Sequence, residues 1–358
     1  MPRKVVFEGQ IEHLQILDEN GKVDPEIGVP EGLTNELLVE MYKEMLFFRR
    51  FDKKALALQR TGQLGTYASL IGQEAAQVGL GYAMNEKDWL VPSFRDQGLM
   101  MLRGVPGHKI ITYWNGDERG SQYDEGVNCL PICVPVGSQL LHGAGLGKAL
   151  SLRGEDAACV VCVGDGGTSE GDFHEACNFA GVFDCPTVIL IQNNQWAISV
   201  PRHRQSAAPT LAQKSIGYGL HGLQVDGNDV MAMYQAGKES LGRARKEKKA
   251  TILEAFTYRM EDHTTADDAS KYRPAEELEL WSKRDPMRRL ELYLREQGCF
   301  DDALLESMEK EVTARVAEQV AAREALEKPD PTDTFRYLYG EMPPHLVEQM
   351  EEMKESLS

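Results

Sequence analysis

The run from Ala157 to Val200 decides the fold: AACVVCV (157–163), then GDGGTSEGDFHEACNFAGVFDC (164–185), then PTVILIQNNQWAISV (186–200). Ala157–Val163 is short, apolar and rich in β-branched residues, and it ends at Gly164-Asp165-Gly166-Gly167. Phe173, Ala176, Cys177, Ala180 and Phe183 come next at spacings of three and four, the period of a helix. A second apolar run, Thr187–Ile191, ends at Asn193-Asn194. Strand, glycine-rich turn, helix and strand form a βαβ unit, and continuously apolar strands belong in a parallel sheet covered on both faces. Sheets of this kind bind ligands beyond the carboxyl ends of their strands. The first strand delivers Asp165 to that edge and the second delivers Asn194.

The chemistry of that edge narrows the ligand. Gly166 and Gly167 have no Cβ, so their N–H groups can approach a phosphate, and the next helix adds the positive end of its dipole. One Asp, one Asn and a nearby carbonyl are hard oxygen ligands, too few for a calcium cage. They suit Mg²⁺, which takes its remaining ligands from water and phosphate. The expectation is a magnesium–diphosphate site. An ordinary βαβ turn, with Asp as a helix cap and the Asn pair in a turn, uses the same residues.

GDG, with NN at the end of the next strand, resembles the thiamine-diphosphate signature of transketolase-like and 2-oxo-acid dehydrogenase enzymes. The longer pattern GDGGTSEGDFHEACNFAGVF…QNNQWAIS is similar to the alpha subunit of the decarboxylating dehydrogenase component of 2-oxo-acid dehydrogenase complexes. The resemblance runs from about Leu33 to about Gln349. It implies a three-layer αβα thiamine-diphosphate fold with a mostly parallel sheet. It also implies thiamine diphosphate and Mg²⁺ as cofactors, with Asp165, Asn194 and the Trp196 carbonyl on the metal. Phe94, Arg95, Val134, Val136, Gly164, Gly166, Gly167 and His263 are implied around the cofactor. Arg95 matches the arginine of the diphosphate site; Phe94 stands where many members have Tyr. Val134–Val136 match the segment that meets the aminopyrimidine through main-chain groups.

His263, in H-T-T-A-D-D-x-x-x-Y-R (263–273), matches the histidine that assists acyl transfer to lipoamide, and Tyr272 and Arg273 match residues that order this loop. Thr264 falls where mitochondrial relatives carry a regulatory phosphoserine. Asp172 and Glu175, at i,i+3 on the central helix, match positions along an acidic passage that relays a proton. Thr66 replaces the bulky residue common at the substrate mouth. The resemblance implies decarboxylation of a 2-oxo acid, pyruvate first and branched-chain acids as the alternative, with the acyl group passed to a lipoyl acyltransferase. The carboxylate that activates the aminopyrimidine belongs to a second domain in this family. A chain of 358 residues has room for one such domain, which implies a beta subunit and an α2β2 assembly. A non-catalytic scaffold that kept the fold is the alternative from another class, and intact Asp165, Asn194 and His263 count against it. A nicotinamide enzyme is disfavoured because no dinucleotide fingerprint comes after a strand.

Composition excludes several classes. A net charge of −17 argues against nucleic acid and anionic membranes as main partners. No apolar run approaches the ~20 residues of a membrane span, and MPRKVVFEGQIEHLQ lacks the apolar core of a secretory signal. Cys159 and Cys162 are spaced C-x-x-C inside a strand, where i and i+3 point to opposite faces, so they are core residues. With no disulfide framework among seven cysteines, a reducing cytoplasm is the expected location.

The chain divides into an N-terminal arm (1–33) over a partner or the domain surface, an α/β domain (34–275) and a helical extension (276–358). Thr34 is placed to cap a helix running to about Arg60. Residues 137–154 read as a small-residue helix. The basic loop Pro201–Ser206 is either a solvated run or a cover for the diphosphate. Leu304, Met308, Val312, Val316 and Val320 form an i,i+4 stripe on a helix of about 25 residues, a core or subunit contact.

Overall fold

Strand order in the sheet places the site. The structure, a computed structural model, describes residues 3–357; the first two residues of the expected arm and Ser358 lie outside the described residues. The strands are β1 (Glu12–Leu14), β2 (Trp89–Val91), β3 (Cys159–Gly164), β4 (Thr187–Asn193), β5 (Trp196–Ala197), β6 (Val200–Pro201), β7 (His221–Asp226) and β8 (Thr251–Phe256). The helices are α1 (Asn35–Arg60), α2 (Glu74–Ala83), α3 (Gln97–Leu102), α4 (Gly107–Trp114), α5 (Ser138–Leu152) and α6 (Gly171–Val182), then α7 (Val230–Glu247), α8 (Ala275–Lys283), α9 (Pro286–Glu296), α10 (Asp302–Glu324), α11 (Asp333–Arg336) and α12 (Pro344–Leu357). Among the described residues, six strands form one sheet in the order β1-β7-β8-β4-β3-β2, every neighbouring pair parallel. β5 and β6 make a short antiparallel ribbon at its edge.

The strand period of two sorts the core into layers. Val160, Cys162, Val188 and Leu190 face a cluster built with α1, α2, α7, α9 and α10. Cys159, Val161, Val163, Ile189 and Ile191 face a second cluster with α5 and α6. The fold is therefore the expected αβα sandwich, and the two C-x-x-C thiols lie on opposite sides of the sheet. All seven cysteines are free. Among the described residues no helix is long and apolar enough to cross a membrane.

Local chemistry sets the helix starts. Thr34 Oγ1 accepts from Leu37 N at 3.2 Å to cap α1, and Asp229 Oδ1 accepts from Met231 N at 2.9 Å to cap α7. The other oxygen of Asp229 accepts from the N–H groups of Ile16 and Leu17, both at 2.6 Å. Residues 12–17 of the expected N-terminal arm are thereby tied into the fold. Glu12–Leu14 pair with Leu223–Val225 as the sheet's edge strand, and Ile16 and Leu17 are fully buried. On α10, Met308, Val312, Val316 and Val320 are buried in the core cluster that contains α1, with Leu304 packed at its edge, so that stripe is core.

Candidate active site

β3 and β4 run side by side in parallel with Gly164 opposite Gln192, so the turns leaving both strands reach the same edge of the sheet. There a cleft of about 460 Å³ opens, and Phe94, Arg95, Val134, Val136, Gly164, Asp165, Gly166, Gly167, Asn194, Trp196 and His263 all line it. Loops from β2, β8 and the segment before α5 supply the walls.

The two asparagines part ways. Asn193 Nδ2 donates to Glu254 Oε1 at 2.7 Å on β8, a structural contact. Asn194 lines the cleft, its Nδ2 donating to Gln73 Oε1 at 3.3 Å and its Oδ1 accepting from Trp196 N at 3.3 Å. The turn between them and β6 is strained: Gln195 has φ +73° and Ile198 has φ +53°, the latter an unfavourable state for a β-branched residue. Asp165 is 2% exposed, and burial pushes its carboxyl up to about 6. Gln205 Nε2 donates to its Oδ2 at 2.6 Å.

These groups fit a hard cation with a diphosphate. Asp165, Asn194 and the Trp196 carbonyl are hard oxygen donors at this edge, and the Trp196 carbonyl accepts from Arg259 Nη1 at 3.3 Å. A Cβ on Gly164 would meet nothing within 4 Å, so the backbone there opens on free space. Gln73 Nε2 and Gln205 Oε1, beside Asn194 and Asp165, are buried without a protein partner. A bound ion's water shell or a phosphate would satisfy such groups. One expectation is corrected. Gly166–Ser169 form a 3₁₀ turn, closed by Thr168 N donating to Asp165 O at 3.2 Å, and α6 begins only at Gly171. The helix dipole therefore starts beyond the glycines and does not adjoin them.

His263 stands against two arginines. Arg95 Nη2 donates to His263 Nδ1 at 3.2 Å and to its carbonyl at 2.8 Å, and Arg259 Nη1 reaches Nδ1 at 3.3 Å. Guanidinium groups only donate, so Nδ1 accepts and the imidazole proton sits on Nε2. Burial and both cations push His263 down to about 4. Phe94 meets the ring edge-on at 5.8 Å. Arg95 is itself 5% exposed, and burial followed by Arg259 lowers its guanidinium to about 10.

The loop after His263 is tied down. Asp267 Oδ2 accepts from His263 N at 2.8 Å and from the Tyr272 hydroxyl, while Arg259 Nη2 donates to that hydroxyl at 2.7 Å. Arg273 donates to the carbonyls of Met260 at 3.0 Å and Glu261 at 3.1 Å. Thr265 exchanges hydrogen bonds with the backbone of Tyr67, and Thr66 Oγ1 lies 3.5 Å from Thr265 Oγ1. Underneath, the buried Asp52 of α1 accepts from the Tyr67 and Ser69 hydroxyls, both at 2.6 Å. Thr66 and Thr264 line the cleft.

The family model for the dehydrogenase E1 component matches residues 42–332. The chain belongs to the dehydrogenase E1 component family. E1 enzymes are thiamine-diphosphate-dependent 2-oxo-acid dehydrogenases. This E1 chain is 43% identical to the pyruvate dehydrogenase E1 component subunit alpha of Acholeplasma laidlawii, over 95% of this chain and 99% of the relative. It is 40% identical to the 3-methyl-2-oxobutanoate dehydrogenase subunit alpha of Mycobacterium tuberculosis, over 100% and 97%. It is 41% identical to the pyruvate dehydrogenase E1 component subunit alpha of Staphylococcus aureus, over 98% and 95%.

Not every expected residue of the E1 site converges. Asp172 is half-buried and Glu175 exposed on α6, neither lines the cleft, and Glu170 lines it instead. Tyr272 and Arg273 act at one remove, through the loop. Arg202 donates to the carbonyls of Ser206 at 2.9 Å and Ala208 at 2.7 Å, so it braces its own loop and does not cover the cleft. Sequence reasoning gave no site role to Gln73, Gln192 or Arg259, and reached Gln205 only as part of the Pro201–Ser206 loop. Arg259 left a trace only as a charge three residues past the end of β8.

Proposed function

We propose that this chain is the alpha subunit of a pyruvate dehydrogenase. In this reading it binds Mg²⁺ and thiamine diphosphate jointly with a beta subunit in an α2β2 assembly and passes acetyl groups to a lipoyl acyltransferase. The observation that carries it is the meeting of Asp165, Asn194, Trp196, Arg95 and His263 at one sheet edge. Asp165, Asn194 and the Trp196 carbonyl would hold the metal, and Arg95 would bind the diphosphate, where a planar multi-donor cation matches phosphate oxygens. When bound, thiamine diphosphate supplies a nucleophilic carbon and an electron sink for loss of CO₂ from a 2-oxo acid. His263, neutral with its proton on Nε2, offers a hydrogen-bond donor there at neutral pH. Phe94, Val134 and Val136 wall the cleft; the last two are about half exposed, as surface awaiting a partner is. Asp172 and Glu175 would serve a proton passage only across a subunit boundary. If the Asp172→Asn, Glu175→Gln double variant keeps full activity with cofactor loaded, that role is gone.

Branched-chain 2-oxo acids are the second reading. The Mycobacterium tuberculosis relative covers the whole chain, and Thr66 at the mouth leaves room for a larger side chain. Reconstituted with its beta subunit, the enzyme should decarboxylate pyruvate with a higher kcat/KM than 3-methyl-2-oxobutanoate. The opposite order moves the assignment to the branched-chain reading, and turnover of neither acid defeats both.

A further inference from the structure

We infer that Gln205 is a positioning residue for the metal site: its side-chain amide fixes which oxygen of Asp165 faces the ion. The inference rests on the magnesium reading of this site. Both hydrogens of the Gln205 amide nitrogen are committed, one to Asp165 Oδ2 at 2.6 Å and the other to Val200 O at 2.9 Å. The Val200 contact fixes the plane of the amide, and the Asp165 contact then engages one carboxylate oxygen, leaving Oδ1 for the ion. A carboxylate ligand held by a partner of this kind loses less orientational freedom on binding, and removing such partners typically weakens metal affinity about 10- to 100-fold.

The loop that carries Gln205 is built to deliver it. Arg202 N donates to Gln195 O at 2.9 Å, and the Arg202 guanidinium closes the loop on the carbonyls of Ser206 and Ala208. Gln205 N then donates to Arg202 O at 3.1 Å, and Ser169 Oγ donates to Gln205 O at 3.4 Å from the 3₁₀ turn after Asp165. The basic loop thus spans from the Asn194–Trp196 turn to the Asp165 turn, and one neutral side chain in it touches the candidate metal ligand. Gln205 Oε1, buried and unpaired, is an acceptor for water of the ion's shell.

The test uses the full chain assembled with its beta subunit. Mg²⁺ is titrated at saturating thiamine diphosphate, with tryptophan fluorescence and calorimetry reporting cofactor binding in the absence of substrate. Gln205→Met, which keeps the volume and removes the amide, should raise the Mg²⁺ midpoint about 10- to 100-fold. Thiamine diphosphate affinity measured at saturating Mg²⁺ should move by less than about threefold, since the diphosphate contacts lie elsewhere. A loop residue of purely structural importance would lower Tm and leave the Mg²⁺ midpoint in place. A Gln205→Met midpoint within about twofold of wild type overturns the inference while the magnesium reading stands. Cofactor binding by the wild-type assembly that needs no divalent cation overturns the magnesium reading itself.

Discussion

His263 owes its charge state to its neighbours. With Arg95 and Arg259 at Nδ1, the folded protein holds it near 4, below the ordinary value of about 6.5. Between those values the unfolded chain binds a proton that the folded chain refuses. The stability His263 contributes is therefore complete above about pH 6.5 and is lost as pH falls toward 4. Thermal melts from pH 7 to pH 4 should show the wild type losing Tm faster than His263→Gln, and nitrogen chemical shifts should show a neutral ring at pH 5.5. Asp165→Ala removes one of the proposed metal ligands outright. Calorimetry should find Mg²⁺-dependent thiamine diphosphate binding weakened by more than about 100-fold, beyond the usual loss from a ligand's outer partner. The residues legible in the sequence are those placed by strand ends: Asp165 after β3, Asn194 after β4. Arg259 left only a bare charge after β8 and Gln205 only a place in the basic loop, because how far a loop side chain reaches has no periodic signature.

At the scale of elements, the sheet and its layers were readable because strands buried on both faces are apolar throughout and helices repeat near 3.6. Edges were not. β1 is three residues long and begins with a charged residue, Glu12, so only its pairing with β7 marks it as a strand. The 3₁₀ turn after Asp165 hid for a similar reason, since glycines and Ser/Thr suit a helix start equally well. Two backbone positions are testable. Gly72 has φ +99°, and a Cβ there would lie 2.4 Å from Tyr258 O, so Gly72→Ala should cost about 2–4 kcal/mol in denaturant melts. Ile198 bears the opposite prediction: Ile198→Gly removes the strain of φ +53° and should leave stability unchanged or raised by about 1 kcal/mol, while widening the cleft.

For the whole molecule, the outer face of α5 and α6 carries exposed Leu141, Leu152, Phe179, Val182 and Phe183, with the two phenyl rings 4.5 Å apart. Exposed apolar side chains on one face, two of them in ring contact, mark a candidate contact surface. Expressed alone, the chain should self-associate; expressed with its beta subunit it should run as one α2β2 species in light scattering. A Val182→Ser, Phe183→Ser double variant should shift that assembly toward smaller species. Stable association of the double variant at wild-type levels would place the subunit contact elsewhere.

The cysteines offer a practical handle. Five thiols are buried, whereas Cys133 and Cys299 are partly accessible. Cys133 adjoins Val134 on the cleft wall, with its Sγ 3.3 Å from Ser138 Oγ. Once Cys299→Ser removes the competing thiol, a maleimide dye on native protein has one address, next to Val134 on the wall of the cleft. The chain thus carries a built-in anchoring point from which filling and emptying of the catalytic cleft can be tracked in real time.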